Sequence, residues 1–359
     1  MNIQRVKVQC GLGSVTSAMF GARFGARFGA RFGALVGGVV GGLVGLVLAL
    51  GSATAMAQSA AAGFPNKPVR LIIAFTAGSA TDIVGRALAA KLSDAWGQQV
   101  LAENRPGAGG TIGSALVAKS APDGYTLLIN SSAHANNPSM YAKLPYDTLK
   151  DFIDVGSVSA APNVLIVASN AGIKSVADFI AKAKASAGGL NFAHAGVGSG
   201  THFNSEKFRL ATSIDFTNVP YKGSPEVMSD LISGRVTSYF SPIAPALPLI
   251  RDNKVIAVGV SSQRRSGLLP EVPAVAETVP GFEFLLWFGI WAPAGTPMEL
   301  VNRISGDMAK VLGNSEMKET LAKLGNEPLI MPPPQFAAFV RREIEDAAKI
   351  IKAAGIKPQ

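Results

Sequence analysis

The 359-residue chain has one cysteine, Cys10, and three histidines, His134, His194 and His202. A single cysteine near the start excludes a disulfide framework, and histidines scattered this way lack metal-ligand spacing, so no metal site is expected. Charge is sparse as well: 16% of residues are charged against 48% hydrophobic. That composition suits a globular chain with a sizeable core and excludes an intrinsically disordered one. The chain contains neither a Gly-Lys-Ser/Thr phosphate loop nor a Gly-x-Ser-x-Gly nucleophile elbow, which removes two common enzyme classes. No cluster of Lys and Arg interleaved with aromatics occurs, so nucleic acid is not expected as a partner.

The net charge of +9 is concentrated at the start, where five of the 33 basic residues and none of the 24 acidic ones fall within residues 1–57. Within that leader a threefold GARF repeat precedes the apolar run ALVGGVVGGLVGLVLAL (34–50), and Ala55-Met56-Ala57 follows. Basic, apolar and small-x-small in that order predict a cleavable secretory signal over 1–57 and a periplasmic mature chain opening at Gln58. Met19 begins a complete signal by itself and is the expected start. A membrane anchor is the competing reading, because the apolar run reaches the lower edge of spanning length.

Downstream, LIIAFTAGSATDIVGR (71–86) passes from a strand-like run through small residues into a helical pattern. Ser79 and Thr81 are candidate N-caps, and Ser79-x-x-Asp82 has capping-box spacing. A helix start of this kind attracts anions, although a purely structural turn fits the stretch equally well. Apolar runs at 69–75, 100–101 and 125–130 read as strands. They alternate with helices at 83–96 and after Thr111, and a polar loop is expected over 131–137. A strand at 164–168 and a helix opened by Ser175-x-x-Asp178 lead into a second series: strands at 190–194, 216–221, 236–240 and 255–260, helices at 201–210, 224–233 and 244–250. The proline-broken stretch 268–280 should lack regular structure. A strand at 284–292 carries Trp287, Phe288 and Trp291, read as core. Thr296-Pro297-x-Glu299 then marks a helix start, followed by helices to 312, at 316–324 and at 335–354, a tail expected to pack back on the first series.

Gly196, Gly198 and Gly200 form a second loop between strand and helix, where bare backbone can approach a ligand. Gly196-x-Gly198 lacks the third glycine of a dinucleotide fingerprint. A secreted α/β enzyme that uses the glycine-rich loops for an anionic substrate or nucleotide is the alternative reading. Asp82 is a first-turn helix acid or, for an amino-acid ligand, the partner of its ammonium.

The stretches PNKPVRLIIAF, TDIVGRALAAKL, ENRPGAGGTIGSALVAKSAPDGYTLL, VPYKGSPEVMSDLISGRV and WAPAGTP follow one another through residues 64–358. In them the chain resembles the tripartite tricarboxylate transporter receptors, also called Bug or TctC-like proteins. The resemblance implies an α/β periplasmic binding protein of type II, a Venus-flytrap with two domains and crossing hinge strands. Domain 1 would comprise 64–168 and 286–359, and domain 2 would comprise 169–285. It implies no catalysis and no cofactor. The expected molecule is a monomeric receptor that captures a small carboxylate (di- or tricarboxylate, amino acid or aromatic acid) for membrane transporter subunits. Carried over onto this sequence, the ligand loops are Thr76, Ala77, Gly78, Ser79, Thr81 and Asp82, and Gly198, Ser199, Gly200, Thr201 and His202. Ser131, Ser132 and His134 would line a nearby wall, and backbone N–H groups would hold the carboxylate. The family's first loop is of Pro-Pro-Gly-Gly type, whereas Thr76-Ala77-Gly78-Ser79 stands here. Gly200→Val is expected to block the ligand while leaving the fold nearly intact.

Overall fold

A computed structural model describes residues 63–358 apart from 187 and 188. The leader, its cleavage signature, Cys10 and Met19 lie outside the described residues. The first α/β half consists of β1 (Val69–Ile73), α1 (Ala80–Trp96), β2 (Val100–Asn104), α2 (Thr111–Ala118), β3 (Thr126–Ser131) and α3 (Ala133–Met140). Both β2 and β3 run parallel to β1. Leu71, Ile72, Ile73, Leu127, Leu128 and Ile129 are all buried, as the continuous apolar runs of a parallel sheet covered on both faces require.

β4 (Phe152–Ala168) then carries the chain into a second half. That half holds α4 (Val176–Ala185), β5 (Asn191–His194), α5 (Gly200–Thr212), β6 (Thr217–Pro220), α6 (Ser224–Ile232), β7 (Ser238–Pro242), α7 (Ile243–Arg251) and β8 (Val255–Val260). The chain returns through β9 (Leu285–Pro293) and ends in α8 (Met298–Gly313), α9 (Ser315–Lys323), β10 (Glu327–Pro328) and α10 (Pro333–Ala353). Among the described residues the strands form one mixed sheet in the order β2-β1-β3-β9-β4-β7-β5-β6, with β8 and β10 also pairing β4. The α/β binding-protein fold read from the sequence is present.

β4 does two jobs along its length. Its first part pairs antiparallel with β9, and from Asn163 onward it pairs with β7. Only 164–168 read as strand in the sequence, because Gly156, Ser157 and Ser159 have poor strand propensity. Tertiary partners supply the missing stability. The Ser157 hydroxyl donates to the Leu329 carbonyl and accepts the Met331 N–H, and Ser159 donates to Asn326.

The expected polar loop 131–137 is instead the start of α3. The Ser132 carbonyl accepts from the N–H groups of Ala135 and Asn136 and closes a turn that a run of Asn and Ser disguised. Two caps also differ by one residue. Gly110, at φ +90°, precedes α2 where Thr111 was expected. Thr296 returns its hydroxyl to the Pro293 carbonyl, which leaves Pro297 as the boundary of α8.

The helical tail packs back on the sheet through Phe336, which is fully buried with its ring 5.2 Å from Trp291 and 6.0 Å from Trp287. A Cβ at Gly289 would strike that ring, so a bare backbone in β9 is what admits it. Glu343 of α10 accepts from the Trp287 indole at 2.7 Å. Trp287, Phe288 and Trp291 are therefore core residues, as read. Truncation of Phe336 to alanine should lower stability by about 3–5 kcal/mol. Urea unfolding followed by circular dichroism measures this, and a loss under about 1 kcal/mol would show that α10 is not anchored there.

Candidate functional site

Each half offers one loop that runs from a strand end into a helix, and the two loops are built alike. Residues 76–82 read Thr-Ala-Gly-Ser-Ala-Thr-Asp and residues 196–202 read Gly-Val-Gly-Ser-Gly-Thr-His. Gly78 and Gly198 both take a left-handed φ, +76° and +80°. Ser79 and Ser199 are the N-caps, accepting from the N–H groups of Asp82 and His202. Their own N–H groups turn back to the carbonyls of Thr76 and Gly196. The glycine N–H groups point to the side chain four residues on: Gly78 to Asp82 Oδ2 at 2.9 Å and Gly198 to His202 Nδ1 at 3.3 Å.

An α-helix leaves its first N–H groups without intrahelical acceptors. In these two loops the caps account for all but two on each side. The N–H groups of Ala80 and Thr81, and those of Gly200 and Thr201, have no partner among the described residues. They sit at the positive ends of α1 and α5, and neither loop contains Lys or Arg. Paired free donors on a helix dipole favour an anion.

The expected Gly78–Asp82 and Gly198–His202 donors thus reduce to the third and fourth residues of each Gly-Ser-x-Thr run. Ala80 is the addition: its side chain carries no signal, but the repeated tetrapeptide at 78–81 and 198–201 does. Ala77 and Gly78 lie exposed on the outer turn, whereas Ser79, Thr81, Ser199, Gly200 and Thr201 are buried.

Asp82 has no oxygen to spare for a ligand ammonium. Oδ1 accepts from Arg86 Nε and Asn104 Nδ2, both at 2.8 Å, while Oδ2 takes Gly78. The carboxylate is a clamp that fixes the loop. His202 plays the matching part as a neutral ring. Burial first, then His194 and Arg209, push its pKa down to about 2. Its Nδ1 must accept from Gly198, which puts the remaining ring proton on Nε2 beside Glu206, 3.7 Å away. His194 stacks on it with centroids 4.0 Å apart, and burial lowers the His194 pKa to about 4.

Two residues that sequence reading missed, Asn136 and Tyr141, join the two halves, and Asn137 ties α3 to the loop before α2 within the first half. Asn136 Nδ2 donates to the Gly198 carbonyl, Asn137 Nδ2 to the Gly109 carbonyl, and the Tyr141 hydroxyl to the Val197 carbonyl. A Cβ at Gly223 would strike Thr76 Oγ1, so the glycine before α6 makes room for the first loop. Ser132 lies next to Gly200: a Cβ there would stand 2.7 Å from Ser132 Oγ and would also strike Leu286. Gly200→Val would therefore disturb packing, contrary to the expectation of an intact fold. Ser131 uses its hydroxyl on the Ala133 N–H, at 3.4 Å. His134 is set inside an aromatic cluster, with ring centroids at 4.4 Å from Trp291, 4.7 Å from Phe152 and 6.0 Å from Tyr146.

With this geometry in place, comparison with known proteins decides the family. The profile of the tripartite tricarboxylate transporter family receptor matches residues 84–356. The chain belongs to that family. It is 35% identical over 297 residues to BugT of Bordetella pertussis, covering 82% of this chain and 91% of BugT. Among solved structures it is similar to Rpa4515 of R. palustris with adipate, at TM-score 0.80 and 35% identity, covering 82% of this chain and 100% of that one. MatC (Rpa3494) of Rhodopseudomonas palustris with bound malate aligns at TM-score 0.75 and 30% identity, over 80% of this chain and 100% of that one. Members of the family are solute-binding receptors and not enzymes, and the nucleotide or substrate-processing alternative falls away with that membership.

The buried histidines carry a pH consequence. Burial holds His134 neutral with a pKa near 3, far below the usual value of 6.5. Between those values the unfolded chain binds a proton that the folded chain refuses. The stability contribution is therefore complete above about pH 6.5 and is lost as pH falls toward 3, at about 1.4 kcal/mol per pH unit. His134→Leu should remove this slope, so that between pH 6.5 and 5 the variant loses about 2 kcal/mol less than the parent in urea titrations. Equal losses would place the His134 pKa near normal.

Proposed function

We propose that the chain is a periplasmic receptor that holds one small carboxylate between the first turns of α1 and α5 and delivers it to the membrane subunits of a tripartite transporter. The supporting observation is the set of four free N–H groups at two alike helix starts, with no cationic side chain in either loop. The adipate and malate of the two R. palustris structures support the ligand class. Domain 1 is then 64–168 with 286–359, domain 2 is 169–285, and β4 with β9 forms the hinge on which they close. Thr76, Ser79, Thr81, Ser132, Gly198, Ser199, Gly200, Thr201 and His202 shape the pocket, Asp82 fixes the first loop, and Ala80 joins them through its backbone. The receptor works as a monomer.

Proline at the first position of a helix keeps the helix and removes one N–H. Ser79, at φ −73° and ψ 162°, already has the extended conformation that a following proline demands. Ala80→Pro therefore deletes one donor while leaving the fold in place. A hydrogen bond to a charged group contributes about 1.5–3 kcal/mol, so affinity for adipate, malate or whichever acid binds should drop about tenfold to a hundredfold in calorimetry. Unchanged affinity with an unchanged circular dichroism spectrum would remove the first loop from the site. Export is checked separately: the intact mass of the periplasmic form should correspond to a chain beginning at Gln58. Recovery of a form that keeps 34–50 in the inner membrane would favour the anchor reading.

A further inference from the structure

Two asparagines, Asn163 on β4 and Asn204 on α5, are completely buried, and neither amide oxygen nor amide nitrogen of either has a partner among the described residues. Buried polar atoms are almost always paired, and two whole amides without partners are an anomaly that needs a cause. Their positions can be triangulated. Gly200 of α5 lies against Leu286, which pairs with Ala161 of β4. Eight residues on, Phe208 packs on Phe240 with centroids 5.6 Å apart, and Phe240 pairs with Leu165 of β4.

Eight helical residues rise about 12 Å. Four strand residues cover about 13 Å. The two spans are therefore of similar length. Residues 200, 204 and 208 share one face of the helix, and 161, 163 and 165 share one face of the strand. Asn204 thus lies one turn beyond the free N–H of Gly200 on α5, and Asn163 lies two residues beyond Ala161 on the same face of β4 as Ala161 and Leu165. Another unpartnered buried atom, Ser132 Oγ, lies beside Gly200.

We propose that Asn163 and Asn204 form the far end of the ligand site, an amide slot that reads a second oxygen-bearing group on the carboxylate. The proposal rests on the receptor reading given above and narrows it. The ligand is a short acid with a hydroxyl, keto, carboxyl or carboxamide group about one helical turn, roughly 6 Å, from the carboxylate bound at Gly200. Each amide presents donors and an acceptor, so the slot satisfies a group that accepts, donates or does both. An alkyl or aryl end would leave all four amide atoms unmet, and the site discriminates against such acids. Discrimination of this sort, by polar groups that one ligand pairs and another abandons, is stronger than discrimination by shape.

Calorimetry with butyrate, 4-hydroxybutyrate and succinate tests the slot on the purified protein and on Asn163→Leu and Asn204→Leu, which keep side-chain size and remove the amides. The parent should bind at least one of the two oxygen-ended acids ten times or more tighter than butyrate. In each leucine variant that ratio should fall to within threefold of one, with butyrate bound as well as before or better. Whether 4-hydroxybutyrate or succinate is preferred tells a neutral from a charged second group. A ratio unchanged in the variants means that the slot holds only structural water, and the proposal fails. Equal weakening of all three acids in folded variants also overturns it, while leaving the helix-start site standing. A parent silent to all three, and to adipate and malate, sinks the carboxylate reading and this one together. Should circular dichroism find the leucine variants unfolded, Asn163→Ser and Asn204→Ser replace them. These retain a shorter polar group and should reduce the preference at least threefold, and no reduction counts against the slot.

Discussion

A helix cannot satisfy its own first N–H groups, and the molecule is arranged around what becomes of them at two places. At α1 and α5 the cap serine, the glycine before it and the residue at the third helical position pair among themselves, so of the first helical N–H groups only two per helix are left without an acceptor among the described residues. The pairing is achieved with different chemistry on the two sides. An ionised Asp82, anchored by Arg86 and Asn104, does for the first loop what a neutral His202, stacked on His194, does for the second. Both rigidify the turn, and both leave the net charge of the recess to the helix dipoles rather than to a lysine or arginine. Under the proposed reading, binding there would favour shape and donor geometry over raw charge.

The halves are held together by polar groups that a core would ordinarily reject. Asn136 and Tyr141 reach across to backbone carbonyls of Gly198 and Val197. Such contacts are worth about 1 kcal/mol each and exchange readily with water, unlike interdigitated leucines. An interface made of them can come apart without exposing a large apolar face.

Legibility from sequence followed how local each signal was. The parallel strands β1 and β3 and the helices α1, α4 and α10 carry their own periodicity, and their existence was plain. The two glycine-bearing loops that open α1 and α5 were also readable, since glycines before a helix announce a backbone that must bend. The first half of β4 was not, because Gly156, Ser157 and Ser159 become strand only through β9 and the 326–331 segment. α3 was hidden for a similar reason: its asparagines look like loop until their partners are known. Asp82 shows the limit at the level of a single site. Its spacing marks it as a first-turn acid, but only the fold reveals Arg86 and Asn104 around it, which removes it from the ligand. Nothing local in the sequence distinguishes Asn163 or Asn204 from any other asparagine, because what sets them apart is the absence of partners in three dimensions.

The two passages between the halves run through β4 and β9, and at that point the strands are bonded to each other, Ala160 to Trp287, Ala161 to Leu286 and Pro162 to Leu285. The crossing is therefore a single two-stranded ribbon rather than a pair of independent cords. Ribbons twist at little expense, because ladder bonds rotate together, whereas sliding one edge past the other breaks them in series. A ribbon of this kind would confine any relative movement of the halves to something close to one rotational degree of freedom, like a door on a continuous hinge. Under the receptor reading proposed above, each opening would return the two helix starts to the same register, with no search over orientations.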